Sequence, residues 1–276
     1  MPIYLHSDNE VFMNVLDFQR MKENNEKISM VTSYDYWSAQ ILARSNIDCI
    51  LVGDSAAMVI HGHKTTVPAT VDMMIQHIEA VSKGAPSKFI IGDMPFCSYR
   101  KGLDATMDTV DKMMKAGSQA IKLEGADDNI TIIEHIVKSG IPVMGHIGLT
   151  PQSVFALGGF KVQGKNEEAA QKIYQQAFSL QAAGCFAIVL ECIPYPLAQK
   201  ITEDLTIPTI GIGAGPYTSG QVLVFQDLLG LQTEMKPKFL KTYLSGFELI
   251  KESLNQFDQE VKTKKFPNIH EHCFQG

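Results

Sequence analysis

The stretch "LQAAGCFAIVLECIP", residues 180–194, decides the fold. Its first residues close an amphipathic segment, and Gly184 breaks it. Residues 185–190 are then apolar at every position, and Glu191 ends the run. Strands buried on both faces of a parallel sheet read this way, whereas a half-exposed strand alternates. A glycine at the end of the preceding helix supplies the left-handed residue that lets the chain turn back.

The same grammar recurs along the chain. It is present in "ARSNIDCILVGDS" (43–55), "VSKGAPSKFIIGDMP" (81–95) and "MMKAGSQAIKLEGAD" (113–127). It returns in "IVKSGIPVMGHIG" (136–148) and "EDLTIPTIGIGAG" (203–215), while "KISMVTSYD" (27–35) supplies a strand with no glycine before it. Helices are expected at about 10–24, 37–45, 70–83, 104–116, 128–139, 167–183 and 195–203. Gly84, Gly117, Gly140 and Gly184 mark helix ends. Thr70 and Asn166 are the expected N-caps, with Glu167 and Glu168 suited to the helix dipole. Seven strands are clear, and an eighth is expected around "QVLVFQDLL" (221–229) or just after it.

Strict alternation of this length predicts a (β/α)₈ TIM barrel, read as a single domain over residues 1–276. No Gly-x-Gly-x-x-Gly follows the first strand, so an open dinucleotide-binding sheet has no anchor. Residues from about 236 form a helical extension. Its apolar side, from Phe239 to Ile250, suits packing on the barrel or a neighbouring subunit.

Composition narrows the function. The net charge of −6 argues against nucleic acid as the main partner. No apolar run suggests a membrane span, and the first residues show neither a basic nor an apolar leader segment. The five cysteines, with no Cys-x-x-Cys, read as reduced thiols of a cytoplasmic protein.

In a parallel barrel every strand ends at the same mouth, where the chemistry sits. The strand ends there carry Thr32–Asp35, Asp54–Ser55, Asp93, Lys122 and Glu124, His146, Glu191 and the glycines of 211–215. Four carboxylates beside one lysine repel one another, and a hard divalent cation relieves that repulsion. Asp54 and Asp93 are the best direct ligands, and Glu124 binds directly or through water. Each has a plainer reading: an aspartate as a helix cap, Lys122 as a partner for Glu124, His146 as a core histidine. A buried Glu191 has the makings of a general base. His61-Gly62-His63 is a weaker signal. It lies in a loop with no third ligand nearby, so zinc is set aside in favour of a loop role.

"LVGDSAAMVIHGHKTT", "GDMPF.SY", "A.KLEG", "PV.GHIGLTPQS", "GG.KVQGK", "LEC.P" and "IGIGAG" together resemble the ketopantoate hydroxymethyltransferase family, from about residue 27 to 270. The resemblance implies a barrel of the phosphoenolpyruvate/pyruvate superfamily and a homodecamer. It also implies Mg²⁺-dependent one-carbon transfer from 5,10-methylenetetrahydrofolate to 3-methyl-2-oxobutanoate, giving 2-dehydropantoate. By the same resemblance Asp54, Asp93 and Glu124 serve the metal, and Asp54, Ser55, Asp93, Lys122 and His146 face the substrate. Glu191 matches the base. His61 departs from the family pattern, while His63 keeps it. Rival readings are an imine-forming aldolase using Lys122, a carbon–carbon lyase of the same superfamily, and a barrel that only binds.

Overall fold

The computed structural model describes residues 13–232 and 237–274. Residues 10–12, expected in the first helix, and residue 236, the expected start of the extension, lie outside these. The chain divides into two compact units, residues 1–224 and 225–276.

In the first unit eight parallel strands close into a barrel in chain order. They are β1 (Ile28–Thr32), β2 (Cys49–Val52), β3 (Phe89–Asp93), β4 (Ala120–Lys122), β5 (Val143–Gly148), β6 (Ala187–Glu191), β7 (Thr209–Ile212) and β8 (Gly220–Leu223). Closure comes where β8 pairs with β1, Gly220 opposite Ile28 and Leu223 opposite Val31. The eighth strand starts one residue before the expected stretch and is only four residues long, and a helical turn at Phe225–Leu228 follows. Its first residue must be small, because a Cβ on Gly220 would meet the Ile28 carbonyl and come within 2.8 Å of Ile210. Strand propensity therefore understates β8.

Helices Tyr36–Ala43, Val71–Gly84, Leu103–Lys115, Ile130–Lys138, Glu167–Ala182 and Tyr195–Asp204 connect the strands close to the expected boundaries. Strict alternation fails once: among the described residues no helix separates β7 from β8. Thr70 Oγ1 accepts from Met73 N–H at 3.2 Å, and Asn166 Oδ1 from Ala169 N–H at 2.8 Å, so both expected caps are in place. Gly117, Gly140 and Gly184 hold φ of 118°, 87° and 94°, the left-handed form expected of them. Gly84 does not. It is the last helical residue, kept small because a Cβ would strike the Tyr36 carbonyl and lie 2.7 Å from Ala39 Cβ on the neighbouring helix.

The barrel interior is filled by side chains from successive strands, among them Met30, Leu51, Ile91, Met144, Val189, Ile210 and Val222. Its floor is closed by Phe18 of the helix Val15–Glu23, edge-on to Phe89 and Phe186 at centroid distances of 5.3 and 5.1 Å. Phe89 begins β3 and Phe186 immediately precedes β6, so Phe18 sits at the N-terminal end of the barrel. Lys22 pins the same helix by donating to the carbonyls of Thr202, Leu205 and Ile207 at 2.7–2.9 Å. The mouth at the other end is thereby left to polar groups.

The second unit contains the turn Phe225–Leu228 and the helices Gly246–Lys262 and Ile269–His272. Tyr243 N–H donates to the Leu228 carbonyl and Gly246 N–H to that of Leu229. Phe247, Ile250, Leu254, Phe257 and Val261 fall at helical spacing and form one apolar stripe.

Phe18→Ala is expected to cost about 3–5 kcal/mol of stability, since it opens a cavity among aromatic rings. Leu16→Ala, at a position 77 % exposed on the same helix, should stay within about 0.5 kcal/mol. Urea denaturation of the two variants checks the contrast.

Candidate active site

Five consecutive strands, β2 to β6, bring the expected polar residues to one mouth. Asp93 and Lys122 are Cα partners across β3 and β4, and Lys122 Nζ lies 2.8 Å from Asp93 Oδ1. Lys122 is 3.8 Å from Glu124 Oε1 and 3.2 Å from His146 Nδ1. Asp54 stands in the turn just past β2, where its backbone N–H donates to Asp93 Oδ2 at 3.1 Å. His146 belongs to the interior of β5 and bridges two carboxylates. Its Nδ1 is 3.4 Å from Glu124 Oε1, and its Nε2 is 3.2 Å from Glu191 Oε2.

Asp54, Asp93, Lys122, Glu124 and His146 are all buried. Glu191 differs from expectation: its side chain keeps 16 % exposure, because it ends β6 at the open mouth. Ser55 is half-buried, and its hydroxyl is held by the Tyr34 hydroxyl at 2.8 Å. The polar end of β1 has structural work instead. Asp35 caps the helix Tyr36–Ala43 through Ser38 N–H, and Ser33 pairs with Ser38.

Three residues outside the expected set complete the mouth. Gln152, in a 3₁₀ turn after β5, donates from Nε2 to Asp54 Oδ2 at 3.0 Å and to the Met94 carbonyl at 2.9 Å. Its backbone N–H donates to Glu124 Oε2 at 3.0 Å. The single proton of the Tyr99 hydroxyl is shared between Gln152 Oε1 at 2.8 Å and the Glu124 carbonyl at 3.1 Å. Asn129 donates to the carbonyls of Glu124 and Gly125. Gln152 and Tyr99 lie within the segments "GHIGLTPQS" and "GDMPF.SY", so the signal was present without a role attached. Gly148 permits the turn toward Gln152. It holds φ of 95°, and a Cβ there would run into the Glu191 carbonyl.

Charge in this mouth is unbalanced. Burial pushes the Asp54 carboxyl well above the usual carboxylate range, and Asp93 and Glu124 push it further, against Lys122 and the Gln152 hydrogen bond. Burial also lifts Asp93, although Lys122 offsets part of the effect. Glu124 goes the other way: the His146 hydrogen bond, Lys122 and the Gln152 N–H outweigh its burial. For Lys122 the three carboxylates outweigh burial and hold the ammonium above its ordinary value. A lysine held protonated is a poor imine-forming nucleophile, which needs a depressed pKa. Burial and Lys122 press His146 down, but Glu124 and Glu191 lift it to about 9.

The donor set suits a hard divalent cation. Asp54 and Asp93 carry the unrelieved negative charge, and Asp93 Oδ1 makes no well-angled hydrogen bond despite the close ammonium. Glu124 is already engaged on both oxygens. Among the described residues no three His, Cys, Asp or Glu side chains converge into a ready metal cage. Mg²⁺ commonly takes one or two protein carboxylates and fills its shell with water and substrate, so a two-aspartate site fits it.

A closed parallel barrel with buried charge at the C-terminal ends of its strands defines a barrel enzyme. Comparison with known proteins gives the family. Residues 13–269 match the family model described as ketopantoate hydroxymethyltransferase. The 3-methyl-2-oxobutanoate hydroxymethyltransferase of Coxiella burnetii (strain Dugway 5J108-111) is 64 % identical over 265 residues, 96 % of this chain and 100 % of the relative. That of Bdellovibrio bacteriovorus is 58 % identical over 257 residues, 93 % and 98 % of the two chains. The chain belongs to the ketopantoate hydroxymethyltransferase family. Among solved structures, phosphoenolpyruvate phosphomutase from Streptomyces platensis subsp. rosaceus superposes with a TM-score of 0.61 at 12 % identity, over 95 % of this chain and 92 % of that one. A phosphonopyruvate hydrolase crystallised with oxalate and Mg²⁺ gives 0.61 at 8 % identity, over 95 % and 91 %. These two likenesses establish the barrel fold.

Lys122→Met removes the ammonium from among the buried carboxylates and should destabilise the metal-free protein by about 3–5 kcal/mol at pH 7. Asp54 and Asp93 already bind protons more tightly folded than unfolded, and the variant strengthens that preference. Its deficit against wild type should therefore shrink as pH falls from 7 toward 4. Urea denaturation in EDTA at several pH values checks both the size and the sign.

Proposed function

We propose that the chain transfers a hydroxymethyl group from 5,10-methylenetetrahydrofolate to 3-methyl-2-oxobutanoate, giving 2-dehydropantoate. The observation that carries this reading is the pairing of two sites in one mouth: an anionic centre at Asp54 and Asp93, and a separate, accessible carboxylate at Glu191. The names of the close relatives support the reaction, and the geometry is compatible with the residue roles that follow.

Asp54 and Asp93 would hold Mg²⁺, with Glu124 beside them. When bound there, Mg²⁺ supplies a Lewis acid that polarises the keto group of the 2-oxo acid. Lys122 and the Ser55 hydroxyl bind the substrate carboxylate and fix its plane. Tyr34 keeps that hydroxyl in place. Glu191 removes the proton from the branched carbon beside the ketone, leaving an enolate. Water takes the methylene off both folate nitrogens as formaldehyde, freeing tetrahydrofolate. The enolate carbon bonds to that carbon, and its oxygen, which came from the water, takes the proton back from Glu191 to give the hydroxymethyl product. His146 stands between the two carboxylates, Nε2 3.2 Å from Glu191 and Nδ1 3.4 Å from Glu124, and faces the substrate there. Gln152 holds Asp54 in position for the cation.

The apolar stripe of the helix Gly246–Lys262 suits a subunit contact, in line with a homodecamer. Among the described residues no helix is long and apolar enough to cross a membrane. A cytoplasmic enzyme acting on small molecules accords with this reading.

Product formation from 3-methyl-2-oxobutanoate, methylenetetrahydrofolate and Mg²⁺ is the direct test. EDTA should abolish turnover, while borohydride should trap no adduct on Lys122. Glu191→Gln should lose about 10²–10⁴-fold in kcat and in deuterium exchange at the branched carbon, with substrate binding retained. Unchanged exchange would remove Glu191 from the role. Because Asp54 and Asp93 give up protons when the cation binds, Mg²⁺ should raise Tm more at pH 8 than at pH 5. An equal shift at both would overturn the two-aspartate site.

A further inference from the structure

The histidine motif contains a different pair from the one its spacing suggests. His61 lies in the loop after the short helical segment Ala56–Val59, and His77 lies on the helix Val71–Gly84. Their Nε2 atoms are 3.0 Å apart, with ring centroids at 5.2 Å and planes at 64°. His63, two residues from His61, takes no part in this contact.

The protonation pattern follows from the other end of His77. Its Nδ1 is 2.7 Å from the Tyr34 carbonyl. A carbonyl only accepts, so His77 carries its proton on Nδ1. In the neutral ring the Nε2 lone pair then points at His61. Metal-binding histidines are oriented by this same arrangement: one ring nitrogen donates to a backbone carbonyl and the other faces the ion. His61 is exposed, so an ion has access from solvent. Burial, His77 and His63 all hold the His61 imidazole below its ordinary value.

We propose that His61 and His77 together form a binding site for a borderline transition-metal ion of the Zn²⁺ class, held by the two Nε2 atoms, with water in its remaining positions. Zn–N bonds of about 2.0–2.1 Å at a tetrahedral angle put the two nitrogens about 3.3–3.4 Å apart, so the pair opens by only a few tenths of an ångström. His61 moves its ring proton from Nε2 to Nδ1, and no net proton is lost. A pair of imidazoles selects Zn²⁺, Ni²⁺ or Cu²⁺ over Mg²⁺, which prefers oxygen ligands. Among the described residues no third His, Cys, Asp or Glu completes a cage, so the site is one of exchangeable affinity. Its position is not neutral for the mouth. His77 holds the Tyr34 carbonyl, and the Tyr34 hydroxyl holds Ser55.

Calorimetric titration of the full chain with Zn²⁺, in excess Mg²⁺ to cover the carboxylate centre, should show one binding event per chain. His61→Ala should lose it, and His63→Ala should retain it. His61 is an exposed loop residue whose replacement leaves the fold intact, and circular dichroism verifies this. Cu²⁺ bound to the wild type should show nitrogen splitting from two imidazoles in its electron paramagnetic resonance spectrum, absent in His61→Ala. Equal Zn²⁺ binding by wild type and His61→Ala, or loss confined to His63→Ala, would overturn the proposal.

Discussion

Asp93 and Lys122 face each other across β3 and β4 as Cα partners, and their buried ion pair at 2.8 Å is the contact around which the mouth is organised. An isolated buried charge costs several kcal/mol, and pairing recovers that only when every remaining lone pair and proton finds a partner. Lys122 therefore also approaches Glu124 and His146. Glu124 takes the Gln152 N–H, and Asp54 takes the Gln152 side chain. Each added carboxylate needs another donor, and the network grows until it spans β2 to β6. It still ends in excess negative charge. That residue of uncompensated charge is what a divalent cation would neutralise.

The apolar half of the barrel makes this burial affordable in structural terms. Phe18 seals the floor with Phe89 and Phe186, and branched and sulfur-containing side chains fill the middle layers. Water is kept from the underside of the ion pair, so the electrostatic interactions above it are strong. The helix bearing Phe18 stays in place through Lys22, whose three carbonyl partners come from one segment, residues 202–207. Floor and mouth serve different ends of one requirement: a dry interior beneath a charged rim.

Most of the barrel was legible because strands buried on both faces leave continuous apolar runs, and glycines mark the helix ends. β8 was blurred for a reason the same logic explains. Close packing of Gly220 on Ile28 demanded a residue with no strand propensity. Gly84 misled in the opposite way, since helix–helix contact and not a left-handed turn excludes a side chain there. The charged residues of the mouth stood out because carboxylates at the ends of apolar strands are conspicuous. Gln152 and Tyr99 did not. Neutral hydrogen-bonding side chains are common on loops and strand ends, and their partners are distant in sequence: Gln152 reaches Asp54 across 98 positions. The partner of His61 was hidden likewise, 16 residues away on a helix and not two residues away along the loop.

Strand-borne and loop-borne groups in the mouth differ in how far they can travel. Asp93, Lys122, His146 and Glu191 sit on the barrel ladder, so their spacing is as rigid as the sheet. Gln152 rides on the turn beyond Gly148, yet it touches Asp54, the Met94 carbonyl and Glu124 at once. A displacement of that one turn would strip a donor from each of these partners while leaving the Asp93–Lys122 pair untouched. The electrostatic potential of the mouth is thus tied to the posture of a neutral amide, and a substitution at residue 152 would alter cation affinity without changing a single formal charge.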